Sequence, residues 1–229
     1  VASRRGRLYA RPILQAELEQ VLQAGDILLE RTPFRLTDAL IPGYWGHSAV
    51  WVGTEPELRE LGVWFEPVVV AQHGAIREGR RVAEALRYGV KLNTLRHFLN
   101  VDDLAVVRLR GEAHAERAAA IVHALRQIGK RYDFNFDIET TDRIVCSELV
   151  YDTYPHMAWP THRFLGRVTI NPDDIAATAL KDSALSVVRL YHDGHLLPGD
   201  PASRMAALMR RSKRACGSAR SPDTLPVCP

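Results

Sequence analysis

No apolar run in this chain approaches the roughly 20 residues that a membrane-crossing helix needs, so no segment of it reads as a transmembrane span. A G-x-x-x-x-G-K-[ST] phosphate loop and a G-x-G-x-x-G turn are both missing, which removes the usual nucleotide-binding signatures. Nine histidines are present, yet none stands in an H-E-x-x-H motif. His114 and His123 fall nine residues apart on one predicted helix, about two and a half turns, and so form no i, i+4 clamp. Cysteine is scarce, with three in 229 residues, and Cys216 and Cys228 lack the paired spacing of a zinc site. No metal or organic cofactor is expected. The formal charge is only +3, and the basic residues are dispersed rather than interleaved with stacking aromatics, which argues against a nucleic-acid partner. No internal repeat is visible. An initiating methionine is absent as well. Because the chain starts at Val1, the expectation is that something upstream has been removed or left out, where a signal peptide or lipid anchor would lie.

What is present suits one enzyme-sized globular domain, with 46% hydrophobic and 25% charged residues. Residues 1–23 read as a basic, aperiodic and flexible lead-in followed by a helix whose apolar face is Leu14, Leu18, Val21 and Leu22. Gly25 ends that helix, and a short strand follows at Asp26–Glu30. Pro33–Gly43 reads as a loop or short helix leading to a strand at Ser48–Val52. Further strands are predicted at 68–71, 104–109 and 185–191, and helices at 113–128, after Cys146, and from Asn171-Pro172-Asp173-Asp174. The catalytic unit is bounded at 24–198. Residues 199–229 form a basic tail, with a helix candidate at 205–214 that either meets an anionic surface such as a membrane or, as favoured, stays solvated. Cys216 and Cys228 flank a Ser/Pro-rich stretch and either close a disulfide loop or remain free thiols.

Cys146 carries the chemistry. In Ile144-Val145-Cys146-Ser147-Glu148-Leu149-Val150-Tyr151 an extended apolar pair gives way to a helical pattern. The sulfur then sits at a helix N-terminus, where free N–H groups and the helix dipole favour a thiolate. A buried inert thiol is the competing reading. The candidate base is His47, which opens the strand in Gly46-His47-Ser48-Ala49-Val50-Trp51-Val52-Gly53. Its alternative is a histidine that satisfies a loop carbonyl. Glu84, flanked by Val82, Ala83, Ala85 and Leu86, suggests a partly buried acid that needs a partner. An imidazole N–H would supply one. An ordinary surface glutamate beside Arg80 or Arg87 fits the same pattern, and Gln72, after Val68-Val69-Val70, is a rival for the place.

These blocks occur in a telling order: Ala24-Gly25-Asp26-Ile27-Leu28-Leu29-Glu30, Gly46-His47-Ser48, Glu84-Ala85 with Gly89-Val90, Tyr132-Asp133-Phe134, and Cys146-Ser147-Glu148-Leu149-Val150. The arrangement resembles the circularly permuted NlpC/P60 cysteine hydrolases, most of all their YiiX/YebB-like branch, over roughly residues 24–192. The resemblance implies an α+β, papain-like fold in which a helix bearing the cysteine packs on an antiparallel sheet bearing the histidine. It implies Cys146 as nucleophile, His47 as base and Glu84 as the polar third residue, with Tyr132 bordering the site and helping to hold the oxyanion. One departure is the long, charged stretch from Thr54 to Arg81. The implied reaction is cleavage of an amide through an acyl-enzyme, with a cell-wall (peptidoglycan) peptide as leading substrate. A lipid ester or thioester, hydrolysed or transferred, is the runner-up, and a non-catalytic binding module the third reading. Arg87, Lys91 and Arg143 offer cations for a substrate carboxylate, and Trp45, Trp51, Phe134 and Phe136 offer an apolar slot. The resemblance also points to the cell envelope or export, with the cytoplasm as alternative.

Overall fold

The computed structural model describes residues 4–33, 43–111, 113–133, 143–164, 167–181 and 184–218. In chain order the elements begin with α1 (Pro12–Val21), β1 (Ile27–Arg31) and β2 (His47–Trp51). Three short helices follow, α2 (Glu55–Glu60), α3 (Pro67–Val70) and α4 (His73–Arg77), then β3 (Arg80–Leu86), β4 (Gly89–Thr94), α5 (Leu95–Phe98) and β5 (Asp103–Leu109). After α6 (His114–Arg126) come β6 (Arg131–Tyr132), β7 (Arg143–Ile144) and α7 (Cys146–Thr153). The chain continues through β8 (His162–Phe164), β9 (Arg167–Thr169), α8 (Pro172–Lys181), β10 (Leu185–His192), β11 (His195–Leu196) and α9 (Pro201–Ser218).

Seven strands pair antiparallel in the order β11-β10-β5-β1-β2-β3-β4. Because successive side chains on a strand face opposite ways, the central strands divide into two buried sets. Ile27, Leu29, Val50, Val52, Ala83, Ala85, Ala105 and Val107 join one core, together with residues of α6, α7, α8 and α9. Leu28, Ala49, Trp51, Val82, Leu104 and Val106 join a second, with α1 and α5. A strand buried on both faces cannot alternate apolar with polar, which is why β1 and β2 read as continuous apolar runs. β3 and β4 form a two-residue hairpin over Arg87-Tyr88, with Leu86 opposite Gly89. Gly89 has φ +99°, and a Cβ there would lie 2.6 Å from the Lys130 carbonyl oxygen, so only glycine fits this close approach.

Three sequence readings change. The stretch 68–71 is not a strand: Pro67 starts α3 and Val69 is buried in the first core. Proline at the first helical position is pre-set for a helix, and the β-propensity of three valines gives way to that local start. The lead-in is not flexible from residue 4 onward. Leu8 is fully buried, its N–H bonds Val101 O at 3.0 Å, Arg7 N–H bonds Asp102 at 2.9 Å, and Arg4 pairs with Asp102. The tail is not solvated as a whole, because α9 docks through Met205, Leu208 and Met209. Their i, i+3, i+4 spacing gives one apolar stripe and leaves Arg204, Arg210 and Arg211 exposed. Pro33–Gly43 lies outside the described residues except at its ends, as do Cys228 and the side chain of Cys216. No helix among the described residues is long and apolar enough to cross a membrane.

Candidate active site

Val145 is extended, with φ −98° and ψ 171°, and the helix begins at the next residue. Cys146 thus occupies the first helical position of α7, among N–H groups that have no partner inside the helix. The Glu148 carboxylate reaches back to Val145 N–H at 2.9 Å and closes the first turn. Two hydroxyls tie this turn to its surroundings: Ser48 Oγ donates to Cys146 O at 2.9 Å, and Ser147 Oγ to Ile170 O at 2.6 Å. Only 3% of Cys146 is exposed.

His47 is the first residue of β2, opposite Glu30 of β1. Val50 pairs with Ala83 and Trp51 with Val82; continued outward, that register sets Glu84 opposite Ala49 and diagonal to His47. Diagonal neighbours on one face are within reach of long side chains. His47 Nε2 lies 3.2 Å from Glu84 Oε2, and the other carboxylate oxygen accepts Asn93 Nδ2–H at 2.8 Å. Glu84 is itself buried at 3% exposure, so these two donors compensate a charge that would be costly alone. The imidazole also hydrogen-bonds Cys146. With Nε2 on Glu84, the nitrogen left for sulfur is Nδ1.

The electrostatics follow from these contacts. Burial pushes the Cys146 thiol up, but the neighbouring His47, together with the Ser48 N–H, outweighs it and holds the thiol below its ordinary range. Burial likewise disfavours the His47 imidazolium. The Cys146 thiolate and the Glu84 carboxylate more than offset that and raise His47 well above the usual histidine value. Both shifts favour the thiolate–imidazolium form of the pair. The Tyr132 phenol is pushed up by burial first, then by the negative charges of Cys146, Glu148 and Asp133. It stays protonated and is an O–H donor in the field of the sulfur.

A family model for permuted papain-like amidases, the YaeF/YiiX or C92 family, matches residues 21–197. The chain belongs to that family. It is accordingly a cysteine peptidase or amidase-type hydrolase with a papain-like fold. The crystal structure of metalloprotein yiiX from Escherichia coli O157:H7 has a similar fold, with TM-score 0.51 and 18% identity, covering 72% of this chain and 96% of that one. Comparison with curated proteins gives no match.

Within this amidase the structure brings together Cys146, His47 and Glu84, with Tyr132 beside them. Gln72 is elsewhere, preceding α4 in the helical insertion, where Trp64 stacks on His73 at 3.6 Å. Trp45 is 1% exposed and part of the first core, with no partner for its indole N–H among the described residues. It does not line an open slot, and neither does Trp51, buried on the other face. Arg87 is exposed at the tip of the β3–β4 hairpin, over the Tyr88 ring at 4.4 Å. Lys91 is exposed and directly opposite Glu84 on β4. Phe134, Phe136 and the side chain of Arg143 lie outside the described residues. Among the described residues no group of three or more His, Cys, Asp or Glu side chains is arranged to hold a metal ion.

Asn93 and Ser48 are the site residues that sequence reasoning missed. The signal for Asn93 was the Arg87-Tyr88-Gly89 turn, since a two-residue hairpin there sets Glu84 opposite Lys91 and Asn93 diagonal to Glu84. A hydrogen bond to a buried charged group contributes about 1.5–3 kcal/mol. Asn93→Ala is expected to lower kcat about tenfold or more, with KM little changed, as measured by steady-state kinetics on any substrate the enzyme turns over.

Proposed function

We propose that Cys146 is the nucleophile, His47 its acid–base partner and Glu84 the residue that orients the imidazole, in an amidase acting on a cell-wall peptide. The thiolate attacks the carbonyl carbon of the scissile amide. Charge gathering on the carbonyl oxygen is met by the Cys146 N–H and the Tyr132 hydroxyl. The His47 imidazolium gives its proton to the departing amine, and the acyl group stays on sulfur as a thioester. Water, deprotonated by the now neutral imidazole, then releases the carboxylic acid and returns the pair to thiolate and imidazolium. The observation that carries this reading is the unbroken chain from Asn93 through Glu84 and His47 to Cys146.

Two further observations favour a peptide over a lipid. A lipid acyl chain needs a long apolar channel, each buried methylene contributing about 0.8 kcal/mol. Trp45 and Trp51, which the sequence offered for that wall, are instead used up in the two cores. Lys91, across from Glu84 and exposed, provides a cation for a substrate carboxylate. The cell envelope, or export toward it, is the compartment in which such a substrate would be met. The yiiX protein of similar fold is described as a metalloprotein. The described residues of the site do not fit a resident metal, because both nitrogens of His47 are engaged there, by Glu84 and by Cys146, so these side chains form a line and not a converging set of ligands.

Incubation with purified peptidoglycan fragments and, separately, with phospholipid vesicles, followed by mass spectrometry, tests the substrate. Cleavage of an amide in the fragments that depends on Cys146 is the expected result. Cys146-dependent release of fatty acid with intact fragments would put the lipid reading first, and no labelling of Cys146 by a thiol-reactive acyl probe would favour a binding module.

A further inference from the structure

His47 is reached through a short segment, Gly43-Tyr44-Trp45-Gly46, that leads into β2. Asp173 Oδ1, from the first turn of α8, accepts the N–H groups of both Tyr44 and Trp45, each at 2.8 Å. Two successive main-chain donors converging on one anion form a compact anion-binding nest. The fit is close: at Gly43, where φ is +132°, a Cβ would lie 2.5 Å from the Asp173 carboxyl carbon.

An acid at this place in a helix ordinarily serves the helix itself, by facing its positive end. Here that task falls to the next residue. Asp174 accepts the Asn171 N–H at 2.9 Å and also meets His162 Nε2 at 2.8 Å, whereas Asp173 turns to another segment of the chain. The same α8 start is joined to the cysteine helix through Ile170, whose carbonyl accepts Ser147 Oγ–H. One short stretch, 170–173, thereby touches both the Cys146 turn and the lead into His47.

We infer that Asp173 is a positioning residue for His47, fastening segment 43–45 so that the imidazole stays aligned between Cys146 and Glu84. The inference rests on the reading of Cys146 and His47 as the reacting pair. Tyr44 and Trp45 are also held by their side chains, the Tyr44 hydroxyl on Asp103 and the Trp45 ring in the core. Those anchors fix the side chains, while Asp173 fixes the main chain two residues before the histidine.

The test uses Asp173→Ala and Asp173→Asn, with kcat, KM and the pH dependence of Cys146 alkylation by iodoacetamide as readouts. Small misplacements of reacting groups can cost up to about a hundredfold in rate. For Asp173→Ala a fall in kcat of about 10–100-fold is expected, with KM nearly unchanged and the alkylation midpoint moved to higher pH, because a misaligned imidazolium supports the thiolate less. Asp173→Asn, which keeps an oxygen acceptor, should recover most of the rate. The inference is overturned by a folded Asp173→Ala enzyme with wild-type kcat, or by one whose rate falls with the alkylation midpoint unmoved. If Asp173→Ala fails to fold, Gly43→Ala replaces it. That variant should show the same shift, and wild-type behaviour of it would overturn the inference. Turnover that survives Cys146→Ala would instead reject the underlying reading of the site.

Discussion

Cys146→Ala is expected to abolish turnover and to leave the fold in place. The side chain lost is small, and the contacts that anchor its turn belong to other atoms: the Cys146 carbonyl with Ser48, Ser147 with Ile170, and Glu148 with Val145. Circular dichroism and thermal unfolding should therefore match the wild type, while product formation falls to background. The wild-type thiol supplies an independent check. His47 and the Ser48 N–H hold it below its ordinary value, so its thiolate fraction at pH 6 exceeds that of an ordinary thiol, which is almost wholly protonated there. At that pH iodoacetamide should alkylate Cys146 faster than Cys216 or Cys228, as peptide mapping can measure. Equal rates at the three positions would mean that the thiol is not activated.

The second large effect lies on the acid–base side. His47→Ala is expected to cost at least about 10²-fold in kcat, since it removes both the proton carrier and the charge that supports the thiolate. Glu84→Gln separates these contributions. The carboxylate favours the imidazolium, so an amide in its place lowers the His47 pKa, and the alkaline limb of the pH–rate profile moves to lower pH. A less stable imidazolium supports the thiolate less, so the Cys146 pKa rises and the acid limb moves to higher pH. The window of activity should narrow from both sides as its maximum falls. A profile for Glu84→Gln that keeps the wild-type limbs would remove Glu84 from this role and return the third position to open choice.

The parts of this site that are legible in the sequence are those set by local rules. The change from Ile144-Val145 to a helical pattern places Cys146 at a helix start, and α7 begins there. Glycines around a run of β-formers place His47 at the mouth of a strand, where β2 begins. Asp173 shows the limit of such rules. Its helix is predicted from Asn171-Pro172-Asp173-Asp174, yet two adjacent aspartates look alike in sequence, and only the packing of α8 against segment 43–45 assigns one to the cap and the other to the loop.

Apolar periodicity and turn chemistry depend on neighbours along the chain, and from them the sequence by itself determined the cysteine helix and the histidine strand, while the papain-like α+β class followed from the resemblance of its ordered blocks to a known family. Tertiary structure decided whatever depends on register between distant segments. It set Glu84 and not Gln72 against His47, put Asn93 behind Glu84, buried Trp45 that could have lined a slot, and drew Leu8 and the last helix onto the sheet. The reason is physical. A propensity acts over a few residues, whereas a buried carboxylate or indole is placed by the one arrangement of strands and helices that satisfies it, and that arrangement is a property of the whole fold.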